Sequence, residues 1–331
     1  MGRASGLPER DLMRFDQKPP WATAAGYLAA LMSGGIMGLT WVVQSRVLSL
    51  GVVGPAELNW LNMIGLCLIV WPMVLLRHRG RVVPRGTPVG WLVVFSLTAA
   101  CIFYLRNVGV GLCGATTAAV VNRIEIALVF VLTYLVLHQR VRPWGWVGAA
   151  VLVAGTLRVA GVGSGGLAYN LIGLAALVVS AAGIATNALI ITTHFHRVAN
   201  ERVILFSATI QVIVFSILVP AIAGAEGIQA ALGNPYVLKL AGLGTLGIAS
   251  NLFAYYYAMK RAPMWMVRIL ALVGPPTAMV ADHFILGSPI TAAGVQGLVA
   301  VLAGATVVIL SGRGSSGPGR ESLTPAGDAG A

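Results

Sequence analysis

Apolar residues run along the chain in ten long blocks, at 21–43, 55–76, 88–108, 114–137, 143–160, 168–193, 202–223, 237–258, 263–286 and 289–310. A helix that crosses a bilayer needs about 20 mostly apolar residues. The pattern therefore predicts an all-α polytopic membrane protein with ten transmembrane helices. Polar positions collect between the blocks. RHRGRVVPRGTP, HQRVRP, GVGSGG, HFHRVANER and GAEGIQAALGNP carry charges and turn-forming residues and read as connections. The third and fourth blocks are parted only by GVGLCG, which predicts a tight helical hairpin.

Composition supports this picture. The chain is 57% hydrophobic and 10% charged, with a mean hydropathy of +0.85, whereas a soluble domain carries about 25% charge. Too few solvated groups exist to cover a soluble surface, which excludes an ordinary soluble enzyme, a disordered chain and a disulfide scaffold. The formal net charge of +12 would suggest nucleic acid in a soluble protein. Its placement says otherwise. With the N-terminus in the cytoplasm, sixteen of the 22 basic residues fall in the tails and inner loops. Three lie on the outer side (Arg46, Arg158, Lys239) and three inside spans (Arg106, Arg123, Arg268). Positive residues favour the cytoplasmic side, so the split predicts both termini cytoplasmic and needs no nucleic-acid partner. Residues 1–20 read as a cytoplasmic tail without a cleavable signal, and 311–331, rich in Gly, Ser and Pro, as a disordered cytoplasmic tail. Cys67, Cys101 and Cys113 fit neither a zinc site nor a disulfide framework.

The chain also resembles itself. An offset of 149 places Gly148 on Gly297, Ala154 on Ala303 and Gly155 on Gly304, and carries GVGLCGA (109–115) onto AMKRAPM (258–264). An offset of 148 carries SGGIMG (33–38) onto AAGIAT (181–186). Each repeat, 21–160 and 168–310, holds five spans. Five is odd, so the two halves must insert with opposite orientation. Inverted repeats are typical of secondary transporters, whose substrate site lies near the midplane between the halves.

The end of each repeat resembles the drug/metabolite transporter superfamily in its ten-span, EamA-like form. That pattern has a Pro-hydrophobic stretch, then Leu-Gly-Glu, then a Gly-rich final span. Here Pro275 is followed by Leu286-Gly287-Ser288, while Ile126 and Gln139 hold the matching places in the first half. The proline is kept once, and the family's glutamate is replaced by Gln139 and Ser288. The resemblance implies a transporter of a small metabolite or drug, more often an exporter.

Charges within the spans are the first place to seek a site, because each costs about 2.5–3.5 kcal/mol at a span's centre and is functional by default. Arg123 and Glu125 stand on the fourth span, two residues apart. Positions two apart on a helix do not face each other, which predicts partners from another span, water or substrate, with Arg106 a candidate for Glu125. Glu125 could bind a cation or titrate a coupling proton, and Arg123 could hold an anionic group. Arg268 is on the ninth span, the counterpart of the fourth. Asp282 and His283 read as an exposed helix end, and Glu57 as a helix N-terminal charge. Intramembrane amides serve as a rule in helix–helix hydrogen bonds, a role open to Asn59, Asn187, Asn251 and Gln211. Asn122, Asn62, Trp41 and Tyr255 join the cavity candidates. Of the consecutive Tyr255, Tyr256 and Tyr257, at most two can face one cavity.

Several motifs carry no chemistry. Gly109-x-Gly111-x-x-Gly114 lacks the strand that a dinucleotide site needs. Gly34-x-x-x-Gly38 suits close helix approach. His194 and His196 lack further metal ligands, and no triad, paired-carboxylate or ATP-binding motif is present, so neither cofactor nor metal is expected. The expected function is a secondary, non-ATP transporter in a bacterial cell membrane, working by alternating access. Its expected partners are the bilayer, a small-molecule substrate, a coupling proton and a second copy of the chain in a homodimer. An importer is the rival within the class, and a membrane enzyme or scaffold the rival outside it.

Overall fold

Inside a bilayer every backbone N–H and C=O must find its partner within the segment, which leaves the helix as the form for these apolar runs. The computed structural model describes residues 20–78, 88–137, 142–160, 171–195, 198–259, 261–262 and 264–311. The described residues form α1 (Pro20–Ser49), α2 (Pro55–His78), α3 (Val89–Cys113), α4 (Ala115–Val121), α5 (Ile124–Leu137), α6 (Pro143–Val159), α7 (Leu171–His194), α8 (Asn200–Gly233), α9 (Pro235–Met259), α10 (Met264–Ala271), α11 (Gly274–Leu286) and α12 (Ala292–Ser311). The fourth span is the pair α4 and α5, and the ninth is α10 and α11. Nine described stretches are long and apolar enough to cross a membrane. The fifth span, α6, has 17 residues, at the short end of the crossing range. Large apolar side chains ring the outside, with Phe284 80% and Ile217 72% exposed, as a lipid-facing surface requires.

Two connections differ from the sequence-based expectation. The hairpin between the third and fourth spans is tighter than its GVGLCG suggests. Helix α3 continues through Cys113, and Gly114 alone makes the turn, at φ 79 and ψ 168. GAEGIQAALGNP, which reads as a loop, is mostly helical. Helix α8 runs to Gly233 with one interruption at Gly224, φ 66 and ψ −174. The segment has something to bury: Ala231 is fully buried beside Val47, Leu58 and Val237, and Ile228 packs against Phe215 and Val219.

The packing repeats itself with the halves exchanged. Helix α1 lies along α9 as α7 lies along α3, and α1 meets α11 as α7 meets α5. Helices α2 and α8 pair with each other, as do α6 and α12. Pro72 inside α2 and Pro220 inside α8 stand at equivalent places. Glycines set the closest approaches. A Cβ on Gly155 would lie 2.8 Å from Gly297 O, and one on Gly297 2.7 Å from Gly155 O. Gly148 and Gly304 oppose each other in the same way, at 2.9 and 2.6 Å. Helices α6 and α12 therefore touch backbone to backbone through two reciprocal glycine pairs, and these glycines are the positions that the 149-residue offset superposes. Gly34 and Gly38 do a related job. Cβ atoms there would collide with the carbonyls of Ala271 and Gly274, so α1 is seated against the break in the ninth span.

Candidate functional site

Both interrupted spans break at equivalent positions. In the fourth span the helix gives way to a turn at Asn122-Arg123, and in the ninth at Leu272-Val273. The first break is closed by short-range bonds: Arg123 N–H donates to Val120 O at 3.0 Å, Glu125 N–H to Asn122 O at 3.1 Å, and Ile126 N–H to Arg123 O at 3.0 Å. Discontinuous helices at the midplane, in matching places of two inverted halves, are where transporters build their sites. The two breaks adjoin across α1. A Cβ on Gly274 would lie 3.0 Å from Gly34 O and 3.6 Å from Arg123 Nη2.

The break also corrects the expectation for Arg123 and Glu125. Their side chains form an ion pair, Arg123 Nη1 to Glu125 Oε1 at 3.5 Å, with 13% and 21% of the side chains exposed. The rule that positions two apart diverge holds for continuous helix. Arg123 sits in the turn, outside the regular helix, so its side chain swings back onto the first turn of α5, where Glu125 lies. Glu125 thus takes its partner from its own span and not from Arg106.

Around this pair lies a cavity of about 420 Å³, within the range of small-molecule sites. It is lined by α1, α2, α3, α5, α7, α8, α9 and α10, while α6 and α12 contribute nothing. Its wall uses Val203 to Gln211 near the start of α8 and Asn251 to Tyr256 near the end of α9. The cavity therefore extends from the breaks toward the end of the bundle where α8 begins. The other half is packed solid around Trp41, Val42, Val47 and Leu58, all 1% exposed or less.

Of the sequence candidates, Glu125, Arg123, Arg106, Asn122, Tyr255 and Arg268 line this cavity. Asn62 and Trp41 do not. Asn62 is fully buried and accepts from Thr245 Oγ1 at 3.3 Å. Trp41 lies in the core among Val42, Val110 and Ala278. Both project from helices that do reach the cavity, but from faces turned to neighbouring helices, which their residue type does not reveal. Of the three tyrosines, Tyr255 and Tyr256 line the cavity. Tyr257 is 41% exposed and carries the Arg261 guanidinium 3.7 Å over its ring.

Sequence reasoning set aside several polar residues that the fold brings in. Asn187, Gln211, Asn251, Ser33 and Ser207 line the cavity. Each makes the inter- or intrahelical bond expected of an intramembrane polar group: Ser33 Oγ to Asn251 Oδ1 at 2.7 Å, Asn187 Nδ2 to Phe95 O at 3.3 Å, and Gln211 Nε2 to Ser207 Oγ at 3.1 Å. The carbonyl oxygens of Asn122, Asn187 and Gln211 remain buried without a donor. The cavity thus offers hydrogen-bond acceptors and one carboxylate beside its three guanidinium groups. The available signal was the period along α7 and α8, which puts Ile184, Asn187 and Ile191 on one face and Ile204, Ser207 and Gln211 on another.

Asp282 is corrected as well. It is 4% exposed, and not at an exposed helix end. Its Oδ2 accepts from Thr116 N–H at 3.2 Å and Thr116 Oγ1 at 2.6 Å, and its Oδ1 from Ser288 Oγ at 3.0 Å. The carboxylate ties the end of α11 to the N-terminus of α4, at the closed end of the bundle. Ser288, which stands where the family pattern has glutamate, is one of its donors; Gln139 lies outside the described residues. His283 is exposed, with Nδ1 2.9 Å from Ser288 O. Glu57 occupies the first turn of α2, as expected. Among the described residues no group of three His, Cys, Asp or Glu could hold a metal ion.

No curated protein matches the chain. Among solved structures, one described only as "Crystal structure of protein" superposes with a TM-score of 0.57 at 20% sequence identity, over 89% of this chain and 99% of that one. At that identity the likeness is one of fold. The family model of the EamA-like transporter family matches residues 24–160, the first five spans and the half that holds the Asn122-Arg123 break. Over that part the chain is similar to the EamA-like transporter family, and the described residues form an all-helical, multi-pass fold.

Proposed function

We propose that the protein is a secondary transporter that exports a small metabolite, an amino-acid-like compound or a drug across a bacterial cytoplasmic membrane by alternating access. The observation that carries this reading is the off-centre cavity at two symmetry-related helix breaks. The half of the bundle into which it extends is the half whose connections carry the excess of basic residues. Both termini are then cytoplasmic, and the cavity faces inward in this conformation.

Cargo enters beside the Arg123–Glu125 pair. Glu125, the buried amide oxygens and the guanidinium groups supply both donors and acceptors, which suits a zwitterion. With no ATP-binding motif in the sequence, the energy comes from a gradient, by proton coupling, exchange or facilitated diffusion. Proton coupling has a natural agent: protonation of Glu125 neutralises its attraction for Arg123 and frees the guanidinium for an anionic group. Exchange of the two halves' conformations then closes the inner side and opens the outer one.

The test compares metabolites inside and outside cells with and without the protein. An export reading requires at least one solute to shift outward. A solute shifting inward makes the protein an importer, and no shift at all sinks the transporter reading. Glu125→Gln should abolish or uncouple transport while the protein still inserts. Unchanged flux and pH dependence in that variant would remove Glu125 from the site.

A further inference from the structure

Most of the buried polar atoms that lack a partner are carried by α1, α2 and α3, and of their residues only Arg106 reaches the open cavity. They belong to Trp41 (Nε1) and Gln44 (both amide atoms) on α1, Asn59 (both amide atoms) and Asn62 (Nδ2) on α2, and Arg106 (Nε and Nη2) and Asn107 (Oδ1) on α3. Buried polar groups are normally satisfied, so a cluster of exceptions calls for a cause. Lipid does not supply one, since these residues are 4% exposed or less.

The internal repeat does. The 149-residue offset takes Asn59 to Ala208, Asn62 to Gln211, Arg106 to Tyr255 and Asn107 to Tyr256. All four of these counterparts line the open inner cavity. The α2 and α3 part of the unsatisfied cluster is therefore the symmetry mate of that part of the open wall. When the two repeats exchange conformations, the residues now packed shut take the place of the residues now exposed, and water or cargo satisfies them.

Arg106 gives this second wall its chemistry. The residue is 4% exposed; its guanidinium lies 4.3 Å over the Phe103 ring and 5.3 Å over the Trp41 ring and makes no ion pair with a described acid. Arginine keeps its charge when buried. The unpartnered Nε–H and Nη2–H point side by side along one edge, the edge that grips a carboxylate with two parallel hydrogen bonds. Arg106 also touches the inner cavity, so one side chain can hold cargo on both sides of the exchange.

We propose that Arg106 is the carboxylate-binding residue of this transporter and that Asn59, Asn62 and Asn107 form with it an outward-facing vestibule that is closed in this conformation. The cargo class follows: a carboxylate-bearing solute, an organic acid or an amino-acid-like zwitterion, but not a simple cation. The proposal rests on the transporter reading above, and its two arms separate the two.

The first arm uses the full-length chain in whole cells, with Cys67, Cys101 and Cys113 replaced by serine and a single cysteine at Asn59→Cys or Asn107→Cys. A membrane-impermeant maleimide added outside should label both sites, while Ala208→Cys should react only with a permeant reagent or in inverted vesicles. If the outer sites react with neither reagent, or only from the inside, there is no outward vestibule, and alternating access falls with it. The second arm measures thermal stability of the purified protein with hexanoate, phenylacetate and phenylalanine against hexylamine and phenethylamine. At least one of the carboxylates should raise the melting temperature and neither simple amine should. Arg106→Gln should weaken the effective carboxylate on the order of 10- to 100-fold, the loss of a two-pronged charge-assisted contact. Arg106→Lys, which keeps the charge without the fork, should fall between. Stabilisation by amines alone, by no carboxylate, or equally in wild type and both variants overturns the assignment to Arg106. If outside labelling persists in that case, the transporter reading stands without it.

Discussion

Gly304→Ala tests whether α6 and α12 are held by contact between their backbones. The new Cβ would lie 2.5 Å from Leu152 N, 2.6 Å from Gly148 O and 2.8 Å from Leu152 Cα. All three are main-chain atoms, so no side chain can rotate away. Ordinary contact begins at 3.4 Å, so the helices must part by several tenths of an ångström. Their other packing, which includes Leu152, Val301 and Ala305 in one core cluster, loosens with them. Overpacking of this kind costs about 1–3 kcal/mol. Alanine's better helix propensity returns about 1 kcal/mol, leaving a net loss of up to about 2 kcal/mol. Gly155→Ala should behave alike, because its Cβ meets Gly297 O and Val301 N, both at 2.8 Å. Gly242→Ala on α9 is the control: nothing lies within 4 Å of its Cβ, so stability should hold or rise. The assay is thermal unfolding of the purified protein in one detergent, followed by loss of the monodisperse species. Gly304→Ala and Gly148→Ala should not add, since they crowd the same contact. If Gly304→Ala melts with Gly242→Ala at or above wild type, the glycine pairs are not what sets the approach of these helices.

Two further substitutions probe single sites. Asp282→Ala leaves Thr116 N–H and the Thr116 and Ser288 hydroxyls without their acceptor. It should cost on the order of 2–3 kcal/mol, and Asp282→Asn, which keeps an acceptor oxygen, clearly less; equal melting of both variants would refute the role of the buried acceptor. Gly114→Ala places a side chain at φ 79 and ψ 168 with nothing within 4 Å. The penalty is purely conformational, about 1–3 kcal/mol, and an unchanged melting temperature would mean that the hairpin relaxes to another turn.

Much of the architecture is legible in the residue order because lipid imposes simple rules. Apolar runs must become helices, and the hydrophobic pattern marks where they lie. The glycines that coincide at the 149-residue offset are also the contacts that close α6 on α12. The site was only partly legible. Glu125, Arg123, Arg106 and Arg268 stand out because charge within an apolar run is costly. Asn187 and Gln211 do not, since an amide in a span more often serves helix packing, and here each does both.

The residue order by itself determines the helical class and the places of most of the helices, because burying backbone in lipid leaves one local solution and the hydrophobic pattern states where it applies. Tertiary structure alone decides the rest. It breaks the fourth span at Asn122-Arg123, so that two residues expected to diverge form an ion pair. It buries Asp282 as the acceptor that joins α11 to α4, turns Asn62 and Trp41 away from the cavity, and folds GAEGIQAALG into helix against the closed end. Each outcome depends on which face of one helix meets another, and that is set by the packing of all the helices together, not by any run of neighbouring residues.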